Sequence, residues 1–97
     1  MILVVAQLHA RDGAMPELLQ HVKAFASRSR AENGCLEYTY LRSPEDDDLV
    51  VIVERWAGRE SLNAHLISAE MASYRARTEA LVAHRSHTAY EANALTL

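Results

Sequence analysis

Side chains that could do chemistry gather around one apolar run and the segment after it. Glu54 and Trp56 close the run Leu49–Val53, and His65 follows within Ser61-Leu62-Asn63-Ala64-His65-Leu66. Spacing puts His65 one helical turn after Leu62, so its ring points partly toward a core. A histidine titrates near neutral pH and suits proton abstraction from a phenol or enol. The same position equally suits a buried histidine that ties a helix to a sheet through a hydrogen bond. Trp56 has the flat surface to line an aromatic substrate, though a core anchor at a strand end is the better reading. Glu54 shares its strand face, and a carboxylate there needs a partner if buried, expected to be an arginine across an interface or a backbone donor. Tyr38 and Tyr40 share a strand face with Arg42 and line either a cavity or an interface. Tyr74 sits on the apolar side of a helix, where core packing is the default. Asn63, one helical step from Leu62, is expected to be more exposed than His65.

Other chemistry-bearing residues carry less. His84 and His87 flank the start of a strand without a carboxylate or cysteine cluster, so a metal site is not expected. His9 and His21 stand alone. Glu45-Asp46-Asp47-Asp48 lacks EF-hand spacing and reads as a solvated turn. Cys35 has no neighbouring base to mark a nucleophile. Phosphate loops, dinucleotide fingerprints and nucleophile elbows are missing, and no cofactor is expected.

The elements that hold these residues follow from patterning. Ile2–His9 is β-branched and apolar, then polar, and reads as a strand buried on both faces at its start. Arg11-Asp12-Gly13 is a turn signal. Pro16 suits a helix's first turn, and Leu18, Leu19, Val22, Phe25 and Ala26 recur at helical spacing. That helix is expected to end near Asn33-Gly34, with the glycine as a left-handed cap. Residues 36–42 alternate as a second strand and Leu49–Trp56 forms a third, joined by a polar connector containing Pro44. A short helix spans Arg59–Leu66. A longer one runs from about Ser68, its N-cap, to Ala83. Residues 85–92 alternate loosely as a last strand.

Chain length and composition suit a single domain, 1–97, with 49% apolar and 24% charged residues. A net charge of -3 without a basic stripe argues against a nucleic-acid partner. No apolar run reaches the ~20 residues of a membrane helix, and the N-terminal run lacks the charged region of a signal peptide. With one cysteine there is no internal disulfide, and a cytoplasmic setting is the simplest reading. The element order implies an α+β, ferredoxin-like split βαβ fold with an antiparallel sheet carrying its helices on one face. The other face remains apolar in the first and third strands. Leaving it in water exposes a large patch, so a homodimer packed sheet against sheet is expected.

Taken in order, these pieces resemble the antibiotic biosynthesis monooxygenase superfamily. Glu32-Asn33-Gly34-Cys35-Leu36-Glu37-Tyr38 is similar to its E-x-G-C-L-x-Y passage, Glu54-Arg55-Trp56 to its E-x-W strand end, and Leu62–His65 to its L-x-x-H helix. The resemblance implies a dimeric α+β barrel with a small-molecule cavity between sheet and helices. It further implies a cofactor-independent monooxygenase that oxidises a quinol or other electron-rich aromatic with oxygen. His65 would be the catalytic base, with Trp56, Asn63, Tyr74 and Tyr40 around the substrate. Haem-degrading relatives use an asparagine, a tryptophan and a histidine ligand where this chain offers Gln7, His65 and Arg75, a poor match. A non-catalytic dimeric binding module, or an isomerase of a small carbonyl compound that also uses a histidine base, remain the alternatives.

Overall fold

The computed structural model describes residues 1–97. Strands β1 (Ile2–Ala10), β2 (Cys35–Arg42), β3 (Leu49–Trp56) and β4 (Val82–Glu91) form one antiparallel sheet in the order β2-β3-β1-β4. Helices α1 (Met15–Arg30), α2 (Arg59–Leu66) and α3 (Ala69–Thr78) complete the ferredoxin-like α+β arrangement. In β1 and β3 the even-numbered residues are buried: Ile2, Val4, Ala6, Leu8, Val50, Ile52, Glu54 and Trp56. They meet Leu18, Val22, Phe25 and Ala26 of α1, the apolar stripe expected from helical spacing. The odd-numbered side chains emerge on the opposite face, because successive residues of a strand alternate. There Leu3, Val5, Val51 and Val53 are half-buried, whereas Leu41 and Tyr90 are exposed.

Three boundaries differ from the sequence reading. First, α1 ends at Arg30 with Ala31 as its cap, in right-handed geometry. Gly34 does adopt a positive φ of 82°, but in the turn that opens β2, and its carbonyl accepts from Ala57 N–H at 2.8 Å. A Cβ there would stand 2.4 Å from Ser61 Cβ, so both the left-handed backbone and the approach of α2 require glycine. Second, β2 carries an irregularity between Cys35 and Glu37, which leaves Leu36 exposed and brings Tyr38 inward opposite Glu54. Third, α3 stops at Thr78 rather than Ala83. The Thr78 hydroxyl donates to Tyr74 O at 2.8 Å, and the chain tightens into a 3-10 turn, Glu79–Leu81, before β4 begins at Val82.

The junction of α2 and α3 fixes His65. Ser68 caps α3 as expected, accepting from Met71 N–H at 3.1 Å, while its hydroxyl donates to His65 O at 2.8 Å. One side chain thus secures the end of one helix and the start of the next.

Candidate functional site

Between the inner face of the sheet and helices α2 and α3 lies a cavity of about 100 Å³. Its walls are mainly apolar, with Val4, Ala6, Leu8 and Ile52 from the sheet and Leu62, Leu66 and Met71 from the helices. Polar groups occupy two separate parts of it. Glu54, His65 and Tyr38 stand at one end; Tyr74, Arg75 and Arg85 stand at the other, with Ser86 and His87 between them along β4.

At the first end His65 is 1% exposed. Its Nδ1 lies 2.9 Å from Glu32 Oε1, and its Nε2 lies 3.8 Å from Glu54 Oε1. A carboxylate at Glu32 fixes the tautomer with the proton on Nδ1, which leaves Nε2 free to accept. The imidazole is wedged between Trp56, 4.6 Å away centroid to centroid, Phe25 at 5.5 Å and Tyr38 at 5.9 Å. Glu54 is itself buried, and Trp56 Nε1 donates to its Oε1 at 3.0 Å. Burial raises the Glu54 carboxyl above the ordinary carboxylate range, against the opposing pull of the Trp56 N–H, His65 and His87. Within the chain the partner of this carboxylate is the indole two residues along its own strand, with histidine behind it, and no arginine or backbone donor of the same chain bonds to it. Burial, with Glu54 beside it, likewise raises the Tyr38 phenol and keeps it neutral.

At the second end Tyr74 stacks on Phe25 with centroids 4.0 Å apart. Its hydroxyl is buried and its O–H finds no acceptor, although the Arg85 guanidinium lies close enough to act on its oxygen as a donor. Burial raises this phenol too, opposed by the nearby charge of Arg85. Arg85 is partly buried, which lowers its pKa, and its Nη2 donates to Thr78 Oγ1 at 2.6 Å. A guanidinium stays charged even so.

Of the residues read from sequence, His65 and Tyr74 line the cavity. Trp56 is fully buried behind Glu54, outside the lining, and serves as the anchor its strand-end position suggested. Tyr40 is half-buried on the inner face beyond the cavity. Asn63 is exposed and faces a shallow surface groove with Arg59 and Tyr90, not the cavity. Gln7 is exposed on the opposite sheet face from the cavity. His87 is exposed yet lines the cavity, whereas His84 lies beside His9 at 5.7 Å. Cys35 is half-buried, and burial with Glu32 nearby pushes its thiol up, disfavouring the nucleophilic thiolate. Sequence reasoning placed Tyr38 at a cavity or an interface, and passed over Arg85 in the lining and the pairing of Glu32 with His65. Inward strand alternation was the available signal for Tyr38, and for Arg85 once the β4 register is known. Glu32 opens the family-like passage, but nothing in its turn signals the pairing with His65.

Comparison with known proteins agrees with this architecture. The family model for antibiotic biosynthesis monooxygenase matches residues 1–77. A Mycobacterium tuberculosis protein, named "Putative monooxygenase Rv0793", is 31% identical over 81 residues, spanning 84% of this chain and 79% of the relative. Its solved structure superposes with a TM-score of 0.89, covering 99% of this chain and 98% of that one. A crystal structure from Deinococcus radiodurans, 24% identical, superposes with a TM-score of 0.95 over 100% of this chain and 97% of its own, and shows the shared fold. With the family match running from β1 through most of α3, and with the sheet and the helices in place, the chain belongs to the antibiotic biosynthesis monooxygenase family.

Proposed function

We propose that the protein is a cofactor-independent monooxygenase that oxidises a quinol or another electron-rich aromatic hydroxyl compound. One observation carries this reading: a buried histidine–carboxylate pair, Glu54–His65, opens onto an apolar cavity. Such a pair, itself buried, can move a proton against an apolar wall, where charge created on a substrate is less screened than in bulk water.

In the proposed mechanism His65 Nε2 takes the proton of a substrate hydroxyl. The resulting imidazolium lies between Glu32 and Glu54, which offset the cost of a buried cation. The phenolate pushes electron density to a ring carbon, which transfers two electrons in total to oxygen and forms a carbon–oxygen bond. The proton returns to the peroxide, the O–O bond breaks, and water leaves as the carbon loses its hydrogen. A hydroquinone plus oxygen thereby gives a hydroxyquinone plus water. The apolar walls hold the ring in place and keep solvent from the anion.

We also propose that the chain acts as a homodimer through the open face of its sheet, where Leu3, Val5, Val51, Val53, Leu41 and Tyr90 stand away from the helices. The single cysteine without a disulfide suits a reducing, cytoplasmic setting.

Oxygen uptake by metal-free protein with a panel of quinols and anthrones tests the monooxygenase reading. Turnover is expected above spontaneous oxidation. It should fall on the order of 10²-fold or more in Glu54→Gln, which keeps the acceptor for Trp56 but cannot share a proton with His65. Rearrangement of a substrate under nitrogen would replace the reading with isomerisation. Tight binding without turnover of any panel member would replace it with a non-catalytic module.

A further inference from the structure

The monooxygenase reading uses one end of the cavity and leaves the other unexplained. Arg28, Arg55 and Arg59 all pair with carboxylates, Glu70, Glu37 and Glu91 respectively. Arg75 and Arg85 line the cavity and form no ion pair at all. Beside them the Tyr74 hydroxyl is buried, 3% exposed for the residue as a whole; Arg85 lies close enough to act on its oxygen as a donor, but the phenolic O–H itself has no acceptor. An unmet phenolic donor next to two guanidinium groups without a carboxylate partner is an arrangement that an anionic oxygen pair would complete.

We propose that this end of the cavity is a subsite for a ligand carboxylate, so that the molecule bound is a hydroxylated aromatic acid. Its carboxylate sits among Arg75, Arg85 and the Tyr74 hydroxyl, and its phenolic hydroxyl points toward Glu54 and His65. The orientation rests on the monooxygenase reading; the subsite itself does not.

Three further observations bear on it. The Arg85 guanidinium is held by its own bond to Thr78, whose hydroxyl is in turn tied to Tyr74 O, so the cation is aimed before any ligand arrives. The strand register keeps the two ends apart. Arg85 pairs with Leu8, whereas Ala89 pairs with Val4, the residue opposite Glu54. Those two rows are separated by four residues of β4, about 13 Å of strand. Finally, the acids near the cavity do not occupy the subsite: Glu54 stands at the far end, and Glu79 acts on Arg85 from the groove behind it without forming an ion pair. A phosphate shares the carboxylate's chemistry, but the cavity is small, about 100 Å³, and two planar guanidinium groups match a planar anion.

Calorimetric titration with 3-hydroxybenzoate and its neutral counterpart 3-hydroxybenzamide, neither needing turnover, tests the proposal. The acid is expected to bind about tenfold tighter or better, with the advantage shrinking in high salt. Arg75→Gln, a change at an exposed helix position that leaves the fold intact, should remove much of that advantage, and Arg85→Gln the rest; Arg85→Lys should restore part of it. Equal affinities, an advantage that survives both glutamine variants, or no binding of either compound would overturn the proposal. Phenyl phosphate binding tighter than the acid would overturn the assignment to carboxylate. Oxygen uptake on neutral quinols without any preference for acids would sink the subsite and leave the monooxygenase reading standing. Preferential binding of acids with no oxygen uptake on any substrate would do the reverse.

Discussion

Glu54 is the residue on which the site turns, because a buried carboxyl is tolerated only when its neighbours meet it. Trp56 supplies the hydrogen bond, His65 a nearby charge or proton acceptor, and burial sets the direction of the pKa shift, upward. With the folded-state pKa raised, the folded protein holds this proton more tightly than the unfolded chain. Stability from this group is therefore greatest below the ordinary carboxylate range and falls as pH climbs to the raised value, beyond which it levels off. Trp56→Phe deletes a donor that favours the ionised form. The Glu54 pKa should rise further, and the variant should lose about 1–3 kcal/mol near neutrality through the unmet carboxylate. For a chain of this size each kcal/mol is about 4–8 °C in Tm. Thermal melts across pH should show a gap between the variant and the wild type that widens from acid toward neutral. A gap of constant size would mean that the indole only fills space. In Glu54→Gln the fall with pH should flatten, since the titrating group is gone.

At the scale of elements, most of the fold could be read from periodicity, and the departures have local causes. The apolar run of β3, the inward-facing Tyr38 and Tyr40 of β2 and the apolar spacing of α1 are direct consequences of burial, so they survive into the structure. The end of α3 does not show in hydrophobicity, because Leu81 and Val82 remain apolar while the chain changes from helix through a 3-10 turn to strand. Thr78 makes that change through a side-chain bond to its own helix, a signal too local for spacing to reveal. The site follows the same division. His65 and Tyr74 were legible from the helical face they occupy, whereas Asn63 on the same helix as His65 turns outward and Tyr40 lies beyond the cavity. Glu32 depends on a tertiary approach across the turn into β2, which no window of sequence contains.

Gly34 governs that approach. Its positive φ and its contact with Ser61 bring the Glu32 turn against α2, where His65 sits. Gly34→Ala should cost about 1–2 kcal/mol from the left-handed backbone alone, and more from the contact with Ser61. Adding Ser61→Gly removes the atoms it would strike and should recover the second part but not the first. A double-mutant cycle by chemical denaturation measures this coupling. Strictly additive losses would show that α2 shifts freely and that the turn does not set its position.

For the whole molecule, the decisive asymmetry is between the two faces of the sheet. One is covered by helices and lines the cavity; the other presents Leu3, Val5, Val51 and Val53, aliphatic and half-buried. Val5 and Val53 are paired across the two central strands, β1 and β3, so they mark the middle of that face. A charge placed there has no helix to disturb and no buried partner in the isolated chain, so it should leave the fold and the cavity intact. In a dimer packed through this face, the same charge would be desolvated without a counterion, which costs several kcal/mol. Val53→Lys should therefore separate the chains while preserving the far-ultraviolet dichroism of the wild type. Sedimentation should report a dimer for the wild type and a monomer of 10.8 kDa for the variant. A wild type that sediments as a monomer at every concentration would remove the basis for the dimer. A variant that stays dimeric would move the interface to another surface, and the exposed edge strand β4 would be the next place to look.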